Sequence, residues 1–198
     1  MLVSALLLCQ LGAAVVAPGL RVDVVLDGVP ITPPVEATAM KEVTRIWTAY
    51  DVDVRAVHRG EPVRKGAVRL NVTVVRQPEG AVDSDVLGSI RFVEGVPQPA
   101  IRMFPDRIAA LAEAAAPMHM GDALFAPVFR NYTLGRVFGR ALAHEIGHFL
   151  LRSRTHSRTG LMRAHPPFVE LAAFEWHSFA LTASEVSRLA SFVPSLCD

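Results

Sequence analysis

The chain has 198 residues, of which 51% are hydrophobic and 20% charged, and its net charge is +1. That length fits one domain with a real core, and the apolar content excludes an intrinsically disordered chain. A near-zero charge removes any bulk electrostatic case for nucleic acid or for an anionic membrane surface. Among 20 basic residues only Lys41 and Lys65 are lysines. The arginines are scattered along the chain and read as codon bias rather than as a binding patch. Two cysteines, Cys9 and Cys197, cannot make a disulfide framework or a thiolate zinc site.

Met1 to Gly19 carries no charged side chain, and Val3 to Val16 is an apolar run ending in small residues. It reads as a signal peptide over 1–18, which makes the protein exported, secreted or periplasmic. The run is slightly short for a transmembrane helix, and an uncleaved N-terminal membrane anchor is the alternative. Once the signal is cut, no stable membrane insertion is expected.

Residues 19–198 then read as one domain. Arg21–Leu26 is β-branched and ends at Asp27-Gly28, as a strand does. Pro33-Pro34 opens a helix with Ala37, Met40, Val43, Ile46 and Trp47 at helical spacing. Val52–Val57, Ala67–Val75, Val86–Val93 and Pro99–Phe104 read as strands, the last two joined by a turn containing Gly95 and Pro97. Ile108–Ala116 is an alanine-rich helix expected to stop at Pro117. Asn131 is expected to cap the longest helix, from Thr133 to about Arg152. One or two short terminal helices follow, the last opened by a capping box from Thr182 to Glu185. This order points to an α/β or α+β fold with a mixed sheet.

The informative segment is His144-Glu145-Ile-Gly-His148. Histidines four apart on a helix project from the same face, about 40° apart, so their ring nitrogens can meet on one metal ion. Glu145 sits beside the first of them, able to touch a metal-held water without ligating the ion. Zinc polarises the water and the carboxylate accepts its proton. Two histidines and a glutamate are otherwise costly to bury in so apolar a helix. Gly135, Gly139, Ala143 and Gly147 form a second stripe at i, i+4 spacing, which predicts close packing against a sheet or another backbone.

A catalytic zinc takes a third protein ligand. His156, His165, Glu170, Glu175 and His177 all follow the helix. A helix continued to residue 156 would carry His156 about 12 Å past His148, so the chain must turn back before it.

His144-Glu-Ile-Gly-His148-Phe-Leu, then His156-Ser157 and Gly160-Leu-Met162, resembles the metzincin clan of zinc peptidases, nearest its matrixin-like members. The resemblance implies zinc ligation by His144, His148 and His156, Glu145 as the general base, and Met162 in a methionine turn beneath the metal. His156 follows His148 by eight residues where the clan uses six, and Leu151 stands at the clan's helix-ending glycine.

The resemblance also implies an α+β, zincin-like fold. Its parts are a mixed, twisted five-stranded sheet, two main helices including the one with the motif, and a small helical C-terminal subdomain. The division would fall at 19–152 and 153–198. Leu87, Gly88, Ser89 and Ile90 would lie on the antiparallel edge strand above the zinc, where an extended peptide can add as a further strand.

The expected function is that of an exported zinc endopeptidase acting on a peptide or protein substrate through a water activated by Glu145. Glu170 or Glu175 would replace His156 in a gluzincin-like ligand set. A zinc-binding, non-proteolytic module is the other alternative.

Overall fold

A computed structural model describes residues 19–58, 60–76, 86–119 and 127–192. The expected signal segment, Cys9 and Cys197 lie outside the described residues. Among the described residues no helix is long and apolar enough to cross a membrane.

Five strands form one mixed sheet: β1 (Leu20–Gly28), β2 (Val52–Val57), β3 (Val68–Val74), β4 (Gly88–Val93) and β5 (Val96–Met103). Their order is β2-β1-β3-β5-β4, parallel throughout except for β4, which runs antiparallel to β5. β4 is therefore the antiparallel edge. The β4–β5 turn places both Glu94 and Gly95 at positive φ, 49° and 82°, as a two-residue hairpin requires. That tight turn starts β5 at Val96, three residues earlier than expected, and leaves Pro97 inside the strand opposite Phe92.

The helices are α1 (Pro33–Thr48), α2 (Pro105–His119), α3 (Pro127–Leu150), α4 (Phe168–Ala172) and α5 (Ala183–Phe192). Three boundaries differ from expectation, the first being the start of α2 at Pro105 rather than Ile108. α2 passes Pro117 and ends two residues later at His119, although a proline there removes an intrahelical hydrogen bond. α3 starts at Pro127, so Asn131 lies inside it and caps nothing; proline is well suited to a first helical turn. The capping box of α5 forms as read, with Thr182 N–H donating to Glu185 at 2.7 Å and Glu185 N–H to Thr182 Oγ1 at 3.4 Å.

One core joins the sheet to α1 and α3, through Val22, Val24, Leu70, Val72 and Ile101 on the strands and Val43, Ile46, Trp47, Phe138, Leu142 and Ile146 on the helices. The glycine stripe explains how near the helices lie. A Cβ at Gly139 would stand 2.5 Å from the Ala39 carbonyl oxygen and 2.9 Å from its Cα. Gly139→Ala therefore pushes backbone against backbone. Overpacking costs about 1–3 kcal/mol, partly offset by about 1 kcal/mol of helix propensity. The expected result is a thermal midpoint lower by about 2–6 °C, read by calorimetry.

The centre of β1 is also covered on its other face. Asp23 is fully buried there and accepts bonds from Arg64 N–H and Nε, both at 2.7 Å. Arg64 reaches on to Asp53 and to the Val22 and Asp53 carbonyls. Burial alone would raise the Asp23 pKa, but the hydrogen bonds and charge of Arg64, helped by Arg55, hold it below 3.8. A carboxylate depressed in the folded state stabilises above its unfolded pKa and loses that contribution as pH falls through the folded value. Below about pH 4 the wild type should thus lose stability more steeply than Asp23→Asn, as denaturation at pH 2.5, 4 and 7 would measure.

Candidate metal centre

α3 presents two stripes side by side. The small residues at 135, 139, 143 and 147 face α1 and the Met162 turn, and the adjacent i, i+4 row is Arg136, Arg140, His144 and His148. The helix ends at Leu150, and Arg152 adopts a left-handed conformation with φ 47°. Ser153 N–H bonds the His148 carbonyl at 3.2 Å and Arg152 N–H that of Phe149 at 3.2 Å. This is a Schellman stop with arginine where glycine is favoured. The reversal comes one residue after Leu151 and sends the chain back toward the helix face, which brings His156 alongside the first two histidines.

Both helical histidines are held from behind. His144 Nδ1–H donates to the Leu161 carbonyl at 2.8 Å, and His148 Nδ1–H to the Ser153 carbonyl at 2.6 Å. A carbonyl only accepts, so each ring carries its proton on Nδ1 and turns a lone pair outward from Nε2. The two Nε2 atoms then face each other at 3.0 Å. Opposed lone pairs at that distance repel unless a cation lies between them, and tetrahedral zinc sets its nitrogen ligands about 3.3 Å apart.

His156 completes the set. Its ring centroid is 5.2 Å from that of His144 and 4.9 Å from that of His148. One nitrogen from each of the three lies within 4.8 Å of the others. Burial is the main reason these rings stay neutral, as ligands must. It lowers His144 to about 3, reinforced by His148 and opposed by the Leu161 carbonyl. His148 is lowered by burial against the pull of the Ser153 carbonyl, and His156 by burial and by His165.

Glu145 is 7% exposed and points to the edge strand, where it accepts the Ile90 N–H. Burial pushes its carboxyl up to about 8, with the Ile90 bond pulling the other way. A divalent cation alongside would favour the charged form and bring that value down. Gly88 makes the close approach possible, since a Cβ there would lie 2.8 Å from Met103 Sδ and 3.1 Å from Glu145 Cγ. Ser89 and Ile90 follow on β4, Leu87 lies one residue before it, and all four border the same cleft.

Met162 lies under this turn of α3: a Cβ at Gly147 would meet its Sδ at 2.4 Å. Its segment is fixed by Ser157 N–H to the Met162 carbonyl at 2.8 Å and Leu161 N–H to the Ala180 carbonyl at 2.9 Å. The turn through Leu161 and Met162 thus sets the carbonyl that orients His144.

The rival ligands lie elsewhere. Glu170 pairs with Arg163, while Glu175 is 84% exposed beside His177, at 3.6 Å. His165 borders the cleft outside the triad.

Sequence reading missed Arg140, which is buried one turn before His144. Its Nε bonds Glu42 at 3.1 Å, and its terminal nitrogens bond the carbonyls of Glu170, Leu171 and Glu175 at 2.5, 3.1 and 3.0 Å. This arginine ties α4 and the chain after it to the catalytic-helix candidate, α3. The signal was the polar row 136-140-144-148 on an apolar helix. A comparison with protein-family models, curated proteins and solved structures finds no match.

Proposed function

We propose that the chain is an exported zinc endopeptidase with a metzincin-like, zincin-type fold. The observation that carries the reading is the pair of Nδ1-anchored histidines with facing Nε2 atoms, joined by His156 and flanked by a buried glutamate on a sheet edge. His144, His148 and His156 would hold the zinc, which would supply a Lewis acid for a water and a peptide carbonyl.

The protein's own groups do the rest. The Leu161 and Ser153 carbonyls keep the ligand rings in the right tautomer and orientation. Among the described residues β4 pairs only with β5, so its outer backbone can hold an extended peptide as a further strand. Glu145, between that strand and the histidines, takes the proton of the attacking water and returns it to the leaving nitrogen. The apolar run Val3–Val16 supports export.

A mixed peptide library tests the reading. Internal cleavage that a chelator abolishes and added zinc restores is the expected result. Stoichiometric zinc without cleavage of any peptide would leave a non-proteolytic zinc-binding module instead.

A further inference from the structure

The cleft in front of the histidines, about 1170 Å³, is unevenly charged. Among the described residues four arginines border it, Arg107, Arg140, Arg154 and Arg163, against one carboxylate, Glu145. Arg140 is neutralised by Glu42 and Arg163 by Glu170. Arg107 donates to the Val86 carbonyl at 3.0 Å at the start of the edge strand.

Arg154 is held differently. It lies between Ser153, whose carbonyl anchors His148, and the ligand His156. Its guanidinium stacks over the Phe92 ring, 4.7 Å from the centroid, and no carboxylate among the described residues pairs with it. Stacking occupies the flat face of a guanidinium and leaves its N–H edges free for a bidentate carboxylate. Phe92 lies on β4 two residues beyond Ile90, whose N–H meets Glu145. Two strand residues span about 7 Å. Arg154 thus stands within about two residues of the point where a peptide laid along β4 would pass Glu145.

We propose that the cleft selects peptides with an acidic side chain, Asp or Glu, within about two residues of the cleaved bond, and that Arg154 is the residue that reads it. This selection rests on the endopeptidase reading. The chain's near-neutral overall charge conceals it, because the surplus of positive charge is local to the cleft.

The test is equilibrium binding to the zinc-loaded full chain carrying Glu145→Gln, which removes turnover. Fluorescent peptide pools of one length carry Glu, Gln or Lys at the two positions on either side of the centre. The Glu pool should bind at least tenfold tighter than the Gln pool, with the gap shrinking as salt rises. Arg154→Gln should remove the preference, and Arg154→Glu should turn it toward Lys. Equal binding of the three pools, no binding at all, or a preference that survives both Arg154 variants would overturn the proposal. The two readings fail separately. Cleavage by the wild type without acidic preference leaves the peptidase and removes the selection. Arg154-dependent binding without cleavage by the wild type does the opposite.

Discussion

Glu145→Gln should lower peptide cleavage by about 10²–10⁴-fold, the contribution of a positioned general base, while zinc stays at one ion per chain. The substitution is gentle for the fold. Burial already favours the neutral carboxyl at this position, with a pKa of about 8 before any cation is bound. A glutamine has the same shape and is neutral at every pH, and its carbonyl oxygen can still accept the Ile90 N–H. Thermal stability of the metal-free protein should therefore be equal or higher, which separates lost chemistry from lost structure. Cleavage within threefold of wild type would remove Glu145 from the mechanism.

The largest effect on stability should come from Arg140→Leu. Arg140 is buried with Glu42, and removing one partner of a buried pair costs about 3–5 kcal/mol, here because Glu42 keeps only the longer contact to the part-exposed Arg45 at 3.7 Å. The three carbonyls of Glu170, Leu171 and Glu175 lose their donor as well. A midpoint lower by about 10 °C or more is expected. The double variant Arg140→Leu/Glu42→Leu should recover much of the loss, since it removes the stranded carboxylate together with the cation. A single variant as stable as wild type would show that this network does not hold α4 to α3. Lysine is a poor substitute, because one ammonium cannot reach the carboxylate and three separate carbonyls in the guanidinium's planar fork.

Much of this fold was legible because the apolar periodicity is strong. The five strands and the helices through Met40 and Leu142 fall where period-two and helical patterns put them. The glycine row of α3 announced a close backbone neighbour, and Gly139 meets Ala39 as that row implied. Boundaries were less legible, as Pro117 and Asn131 show. Each residue has a textual signal for stopping or capping, yet α2 runs two residues past Pro117 and α3 begins at Pro127, four residues before Asn131.

At the site, His144, Glu145 and His148 were readable because one helical turn fixes their relation. His156 depended on the chain reversing after Leu150, and Arg152 does this in a conformation that local sequence does not favour. Arg140 and Glu42 are 98 residues apart, and Arg64 and Asp23 are 41 apart. No local pattern links such partners, so the arginines looked scattered along the chain although the fold gives Arg64, Arg140 and Arg163 specific ion-pair partners.

The central claim is a three-histidine zinc centre, and a zinc titration of wild type against His156→Ala tests it most directly. The wild type should bind one ion per chain, and His156→Ala should bind at least about 100-fold more weakly while keeping its fold. A wild type that takes up no zinc, or a His156→Ala variant that binds it as tightly as the wild type, would contradict the account.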